Sequence, residues 1–536
     1  MAKIIKDQNQ NQPQSIEAIT KAGESITSIW VLLMLSFFPL FFTDYYFNIL
    51  QSKYGCFLAI SALYASAMII VAVVHATKID WRMSLTDVLS IAFMGICIIS
   101  TLCAGPYIKE AIFGNEGRYA GLILMITYVV TFFLCSRFYK EKRWIMITFM
   151  WATLFMNLFA ISDYFDMNIL HFKDYIAEEN YNMFTSTIGN INTYTTIATM
   201  SATAAGCLMI FGTDSKLRRI FYGVCAFIAL YASVTAQSDN TYLTFIAVFG
   251  LLPLVAWKDM KGLRRYMVFL TMFLASMKLA QMTDIWYAGR VLGVNGLLNF
   301  ATDLSIFNIV LIACFIFTVV LFILEAKKSN GNAPIPKFVR RAWGILLIVI
   351  VIAVIIVIAW ANKNPELVNE KYGSLARYLI FDDMWGTKRG YIWRAALDEY
   401  KSLPFINKLF GTGPDTFGIY MVNDKYNEMV TITGQYYDSA HNELIHYLFT
   451  IGPLGLLAYL GLLGTIVYGC FKYAEKKHYM LYVYAFIIIG YFAQSIVNIA
   501  LPISTPLLWT FMGMAAAGFR EEFIIKKKAE KQESKE

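Results

Sequence analysis

The chain has 536 residues, 58% of them hydrophobic and only 15% charged, where soluble domains carry about 25% charged residues. That balance excludes a string of water-soluble domains. The net charge of +8 does not point to a nucleic-acid partner, because the basic residues sit mostly in short loops between apolar runs.

Apolar runs of about 20 residues recur from Trp30 to Phe519. About 20 helical residues cross ~30 Å of hydrocarbon. The pattern predicts an all-α polytopic integral membrane protein with about 14 transmembrane helices, in a range of about 12–14. In chain order the segments are 28–47, 55–76, 85–104, 119–138, 144–163, 193–212, 220–237, 241–257, 266–282, 305–325, 342–361, 453–472, 479–499 and 504–519. Residues 1–27 are polar and Gln/Asn-rich, so the first span is expected to serve as an uncleaved signal anchor behind a cytoplasmic tail. Residues 28–361 then form an N-terminal bundle and 362–442 a large extracytoplasmic loop. Residues 443–519 form a re-entrant segment and the last helices, and 520–536 a basic cytoplasmic tail holding Lys526, Lys527 and Lys528.

Lys and Arg set the orientation. With the N-terminus in the cytoplasm, 30 of the 45 basic residues fall inside and 14 outside, nine of these in the 362–442 loop. Long loops translocate regardless of charge, so both termini are expected in the cytoplasm of a cytoplasmic (inner) membrane protein. The eight cysteines lie in or beside apolar runs and form no CxxC pair, which argues against a disulfide framework or a zinc site.

The short cytoplasmic loops hold no Walker motif or Gly-rich nucleotide loop, so chemistry is expected on the outer face. The 362–442 loop far exceeds ordinary connection lengths, and such loops are functional or disordered. Its aromatic content, including Trp385, Tyr391, Trp393 and Phe417, favours order. Thr387 to Tyr400 reads as a helix with Arg389, Trp393, Ala396 and Tyr400 along one face. A stretch punctuated by Gly411, Gly413 and Pro414 follows, and then Tyr436 to Tyr447 leads back to the membrane.

The ordered series Arg389-x-x-x-Trp393, Gly411-x-Gly413-x-x-x-Phe417, His441-Asn442 and Gly452-x-x-Gly455 resembles the signature of the O-antigen ligase and polysaccharide polymerase family. Gly189-Asn190-Ile191-Asn192 resembles that family's Gly-Asn-x-Asn element, and Gly117 to Gly121 is a looser match. The resemblance implies a membrane glycosyltransferase of surface polysaccharide biosynthesis. Its donor would be a polyprenyl-diphosphate-linked oligosaccharide, such as an undecaprenyl diphosphate, and its acceptor a glycan, lipid or protein. It implies no cofactor, no metal and no nucleic acid, with membrane lipid as the surrounding partner. One departure stands out: Ser238-Asp239-Asn240 occupies a place where the family often has Ser-Arg.

An anionic diphosphate leaving group calls for arginine, which stays charged and donates bidentately. An acceptor hydroxyl calls for a base, for which histidine is the default. His441 is therefore the candidate base and Arg389 the candidate diphosphate ligand. The plainer readings are a histidine bonding backbone at a helix start, and an arginine paired with Asp382 or Asp383. Substrate-binding candidates are Arg118, Arg290, Lys278, Arg394, Asn190, Asn192, Asn442 and Trp393. Arg118 sits where snorkelling explains it equally well. Lys278 lies inside a span, where an ionisable residue suggests function by default, but snorkelling or a pair with Asp284 remains open. Asn442 is equally a helix N-cap, and His446 reads as structural. A transporter or flippase and a non-catalytic glycan-assembly protein are the competing functions. No repeated half with broken helices supports the former.

Overall fold

The apolar segments predicted above each fall on a helix in the computed structural model, which describes residues 21–75, 79, 81–212, 215–327, 333–373 and 376–524. The expectations for residues 1–20 and 525–536 lie outside the described residues. Among the described residues ten helices are long and apolar enough to cross a membrane. Leu122–Phe138, Asn240–Ala256 and Met480–Ser495 are shorter apolar helices, and Thr505–Phe519 is shorter again. The chain is thus an all-α polytopic membrane protein. Among the described residues the sheet content is one two-residue pairing of Phe184–Thr185 with Gly189–Asn190.

At the centre stands Ile191–Phe211, buried along nearly its whole length. Its run of Thr, Ala, Ser and Gly lets neighbouring backbones approach closely, as membrane helix contacts require. Gly206 accepts the ring of Phe269 where any Cβ would overlap it. Thr505–Phe519 packs on Leu122–Phe138 through Trp509 stacked on Tyr128 at 5.5 Å. At the end away from the long loop, Asp87 accepts the amide of Ser84, the N-cap of the Leu85–Leu102 helix, at 2.8 Å. It also accepts from Arg137 at 3.2 Å and Arg520 at 2.8 Å, so a buried carboxylate there is doubly paired, as burial demands.

The Lys337–Lys363 helix is different. Near one end Trp343 Nε1 donates to the Gly250 carbonyl at 2.8 Å. At the other, Asn362 Nδ2 donates to the Leu379 carbonyl at 2.9 Å and Asn362 Oδ1 accepts from the Phe381 amide at 2.8 Å. Between these ties residues 348–357 are exposed on every face.

The described residues of the 362–442 segment are largely helical. They include Pro365–Tyr372, Ala376–Leu379, Trp385–Ser402, Phe405–Phe410 and Phe417–Thr433. Tyr391, Ile392, Ala395, Ala396, Phe417 and Met421 form a small core of its own with Phe449. The buried face of Trp385–Ser402 is thus one position off the expected Arg389-Trp393-Ala396-Tyr400 stripe. The helix also starts later than the expected Thr387: Gly386, Thr387 and Lys388 are left-handed, with φ of 58°, 58° and 73°, so regular helix begins only at Arg389.

Candidate active site

The glycines of the loop dock it on the bundle. Gly411 has φ +81°, and a Cβ there would overlap the Thr450 backbone. Gly413, at φ +109°, donates its amide to the Thr450 carbonyl at 2.9 Å and to Ser100 Oγ at 3.1 Å. A Cβ on it would come within 2.9 Å of the Ala104 and Ala111 methyls. Only glycine fits either position without strain.

Two residues on, Asp415 is 4% exposed. One of its oxygens, Oδ2, accepts the Asn115 amide at 2.7 Å and the Ala120 amide at 3.1 Å. The Asn115 side chain donates back to the Asp415 carbonyl. This pins the 114–121 turn to the loop and fixes where Arg118 stands. Arg118 does not simply snorkel: it grips Asp438 with two bonds, Nε to Oδ2 at 2.7 Å and Nη2 to Oδ1. Burial opposes ionisation of Asp438, but the Arg118 guanidinium holds its carboxyl below the ordinary range.

Three residues further, His441 sits in a left-handed conformation, φ +46°. Its amide donates to Ser439 Oγ at 3.2 Å. The preceding carbonyl, Ala440, accepts from Trp393 Nε1 at 2.9 Å, so the loop helix holds the turn. The next residue, Asn442, caps Glu443–Thr450, its Oδ1 accepting the Leu444 and Ile445 amides at 3.0 and 3.1 Å. The half-buried imidazole forms no hydrogen bond among the described residues and meets Tyr437 edge-on at 5.7 Å. Burial first, then the guanidinium groups of Arg118 and Arg389, push its pKa down to about 3, with Asp438 opposing. At neutral pH the ring is an uncharged acceptor between two cations.

Arg389 opens the regular part of its helix. Trp385 and Trp393 flank it in sequence, and their rings lie 5.0 Å apart. Its half-buried guanidinium forms no hydrogen bond or ion pair among the described residues. Burial lowers its pKa, and the nearby Asp239 and Tyr437 oppose that shift. The partner expected for Arg389 belongs instead to Arg394, which holds Asp383 with bonds of 2.9 and 2.8 Å and reaches Glu428 at 3.5 Å.

Asp239 links the loop to the bundle. Its Oδ2 accepts the Tyr378 hydroxyl at 3.2 Å, and its Oδ1 the Leu297 amide at 3.2 Å. On either side, Ser238 Oγ and Asn240 Nδ2 donate to Asn192 Oδ1 at 2.8 and 3.3 Å. Asn190 caps the Ile191–Phe211 helix, its side chain accepting the Asn192 amide at 2.9 Å. The Gly-Asn-x-Asn element is thus a helix start clasped to the 238–240 turn.

The remaining candidates lie apart. Arg290 is exposed at the rim of a turn, where its amide bonds the Tyr287 carbonyl at 2.8 Å. Lys278 does not pair with Asp284 among the described residues. It donates to Gln281 Oε1 at 2.7 Å, and Gln281 in turn donates to Asp303 at 2.6 Å. His446 is buried against Phe417 at 5.5 Å. Four groups were missed in the sequence: Asp438, Asp415, Asp239 and Tyr378. No spacing reveals them, because their partners lie in distant segments. Comparison with known proteins gives one match: residues 291–460 fit a family model described as O-antigen ligase. No curated protein matches the chain.

Proposed function

We propose, from the match of residues 291–460 to a family model described as O-antigen ligase, that the protein transfers or polymerises a polyprenyl-diphosphate-linked oligosaccharide on the outer face of the cytoplasmic membrane, with both termini inside. One observation carries the reading. Arg389 and His441, both half-buried, lack side-chain hydrogen-bond partners among the described residues. An unpaired half-buried guanidinium is costly unless an anion visits it.

In this mechanism the donor diphosphate lies against Arg389 and competes with Asp438 for Arg118. The acceptor hydroxyl gives its proton to the His441 imidazole while its oxygen bonds the anomeric carbon. The bond from that carbon to the diphosphate oxygen breaks, and the electron pair leaves with the phosphate. The proton on His441 then passes to the leaving diphosphate or to water. The binding of an anion offsets the two cations beside the imidazole, so the base strengthens when the donor arrives. Trp393 holds the His441 turn through the Ala440 carbonyl, which makes it a positioning residue.

The decisive experiment is reconstitution with a lipid-linked repeat unit, alone and with candidate acceptors, for the wild type and His441→Ala. The variant should bind donor yet lose transfer by at least about 10²-fold, the usual share of a general base. Normal product from it would sink the base assignment. Chain growth without added acceptor identifies a polymerase, and growth only with one identifies a ligase. Activity abolished by a chelator would overturn metal-independent transfer.

A further inference from the structure

Each of the two guanidinium groups has a carboxylate in its surroundings, but only Arg118 is paired with one. Arg118 is bound by Asp438, and Arg389 stands in the field of Asp239. The second match differs from the first. Asp438 is a direct partner that a diphosphate can displace. Asp239 is instead held by its own hydrogen bonds, to the Tyr378 hydroxyl and the Leu297 amide, each at 3.2 Å. Tyr378 in turn is tied to the Arg389 helix, its carbonyl accepting from Trp385 Nε1 at 3.4 Å. Gly296, at φ +65°, has its Cβ position 2.9 Å from Asp239 Oδ1, so the turn before Leu297 closes tightly over the carboxylate. Asp239 is exposed yet fixed, so its charge stays in place while ligands come and go.

We propose that Asp239 is a positioning residue that speeds release of the spent carrier, by repelling a polyprenyl diphosphate more strongly than the glycosylated donor. This rests on the reading of Arg389 as the diphosphate ligand. The chemistry is a matter of charge. The donor is a diphosphate diester with two negative charges. Transfer breaks the sugar–oxygen bond and leaves a terminal phosphate with one more ionisable oxygen, titrating near pH 6 for a phosphate monoester. Above that pH the product carries more charge than the donor. A fixed carboxylate beside Arg389 therefore raises the energy of bound product more than of bound donor. Without it the site would hold its product and stall.

The test is direct binding of a polyprenyl diphosphate, with the monophosphate as a second probe, to the full chain in detergent. Steady-state product inhibition is measured alongside. Asp239→Asn and Asp239→Ser keep a polar side chain and remove the charge. Either should bind the diphosphate about two- to fivefold more tightly, the range for one extra charge pair across several ångström of partly solvated protein, with lower kcat and lower donor KM. Asp239→Glu should stay near wild type. A merely structural role predicts weaker binding in the neutral variants, so unchanged or weaker diphosphate binding in a folded neutral variant overturns the proposal. The monophosphate also ends in an ionisable phosphate and should tighten too, whereas equal tightening of the glycosylated donor, which has no such terminal group, refutes discrimination by the terminal group. Arg389→Ala is run in parallel. If it leaves diphosphate binding unchanged, the underlying reading fails. If it weakens binding while the Asp239 variants do not tighten it, the release role alone fails.

Discussion

Asp415 is the natural rival to His441 as the base. Burial pushes its carboxyl up to about 7, with the Asn115 and Ala120 amides and Arg118 opposing, and a base near 7 is what acid–base catalysis favours. Its geometry says otherwise: the oxygen that counts, Oδ2, is occupied by two backbone amides. Asn at 415 can present its carbonyl oxygen to both amides, whereas Ala leaves both without an acceptor. An abandoned buried amide costs about 1–3 kcal/mol, so Asp415→Ala biases the 114–121 turn toward release by roughly 2–6 kcal/mol. Even the lower figure shifts the pinned-to-released ratio about 30-fold and loosens the hold on Arg118. We therefore expect transfer by Asp415→Ala to fall by up to about that factor and Asp415→Asn to stay within about threefold of wild type. Turn order can be followed independently by hydrogen exchange at residues 114–121. The carboxyl's pKa is higher in the folded than in the unfolded chain. Its contribution to stability is thus full below about 4 and is lost as pH rises through about 7, a dependence that Asp415→Asn should flatten. If Asp415→Asn is as inactive as Asp415→Ala while its turn stays protected, the carboxylate does chemistry and His441 does not.

Gly413→Ala combines a positive φ with contacts of 2.9 Å to two alanine methyls. It should destabilise the loop docking by about 2–5 kcal/mol, read as early unfolding of the loop in a thermal or denaturant series. Arg389→Lys keeps the charge but not the fork, so donor binding should weaken by about tenfold or more; full affinity in this variant would remove the bidentate argument. Diphosphate binding should take up protons, because it offsets the cations that hold His441 at about 3. Affinity should then rise as pH falls toward that value, and calorimetry in buffers of different ionisation heat should show the uptake in wild type and not in His441→Gln.

The membrane helices are legible in sequence because span length and apolarity are local properties. Span edges are less so: Lys337–Lys363 continues into residues that read as loop. The order of Arg389, the glycines and His441 is legible through spacing. Its meaning is only partly so, since Gly411 and Gly413 prove to dock against Ser100, Ala104, Ala111 and Thr450. What the sequence hides is pairing at long range. Arg118 and Asp438 are 320 positions apart, and Asn115 and Asp415 are 300 apart. Asn442 shows the converse: its neighbourhood is local, and its capping role is readable from an Asn placed just before an apolar helical run.

Among the described residues the Lys337–Lys363 helix makes its ties near its ends, and residues 348–357 are exposed on every face. In a membrane-spanning helix those ten positions would face lipid. Their side chains answer to solubility in hydrocarbon and not to fit. Scrambling them among Ile, Val and Leu should leave insertion and folding intact, whereas one methyl on Gly413 should not be tolerated. Natural variation in this protein should therefore drift freely along that helix in residue identity while holding its composition, and should freeze at the glycine turn.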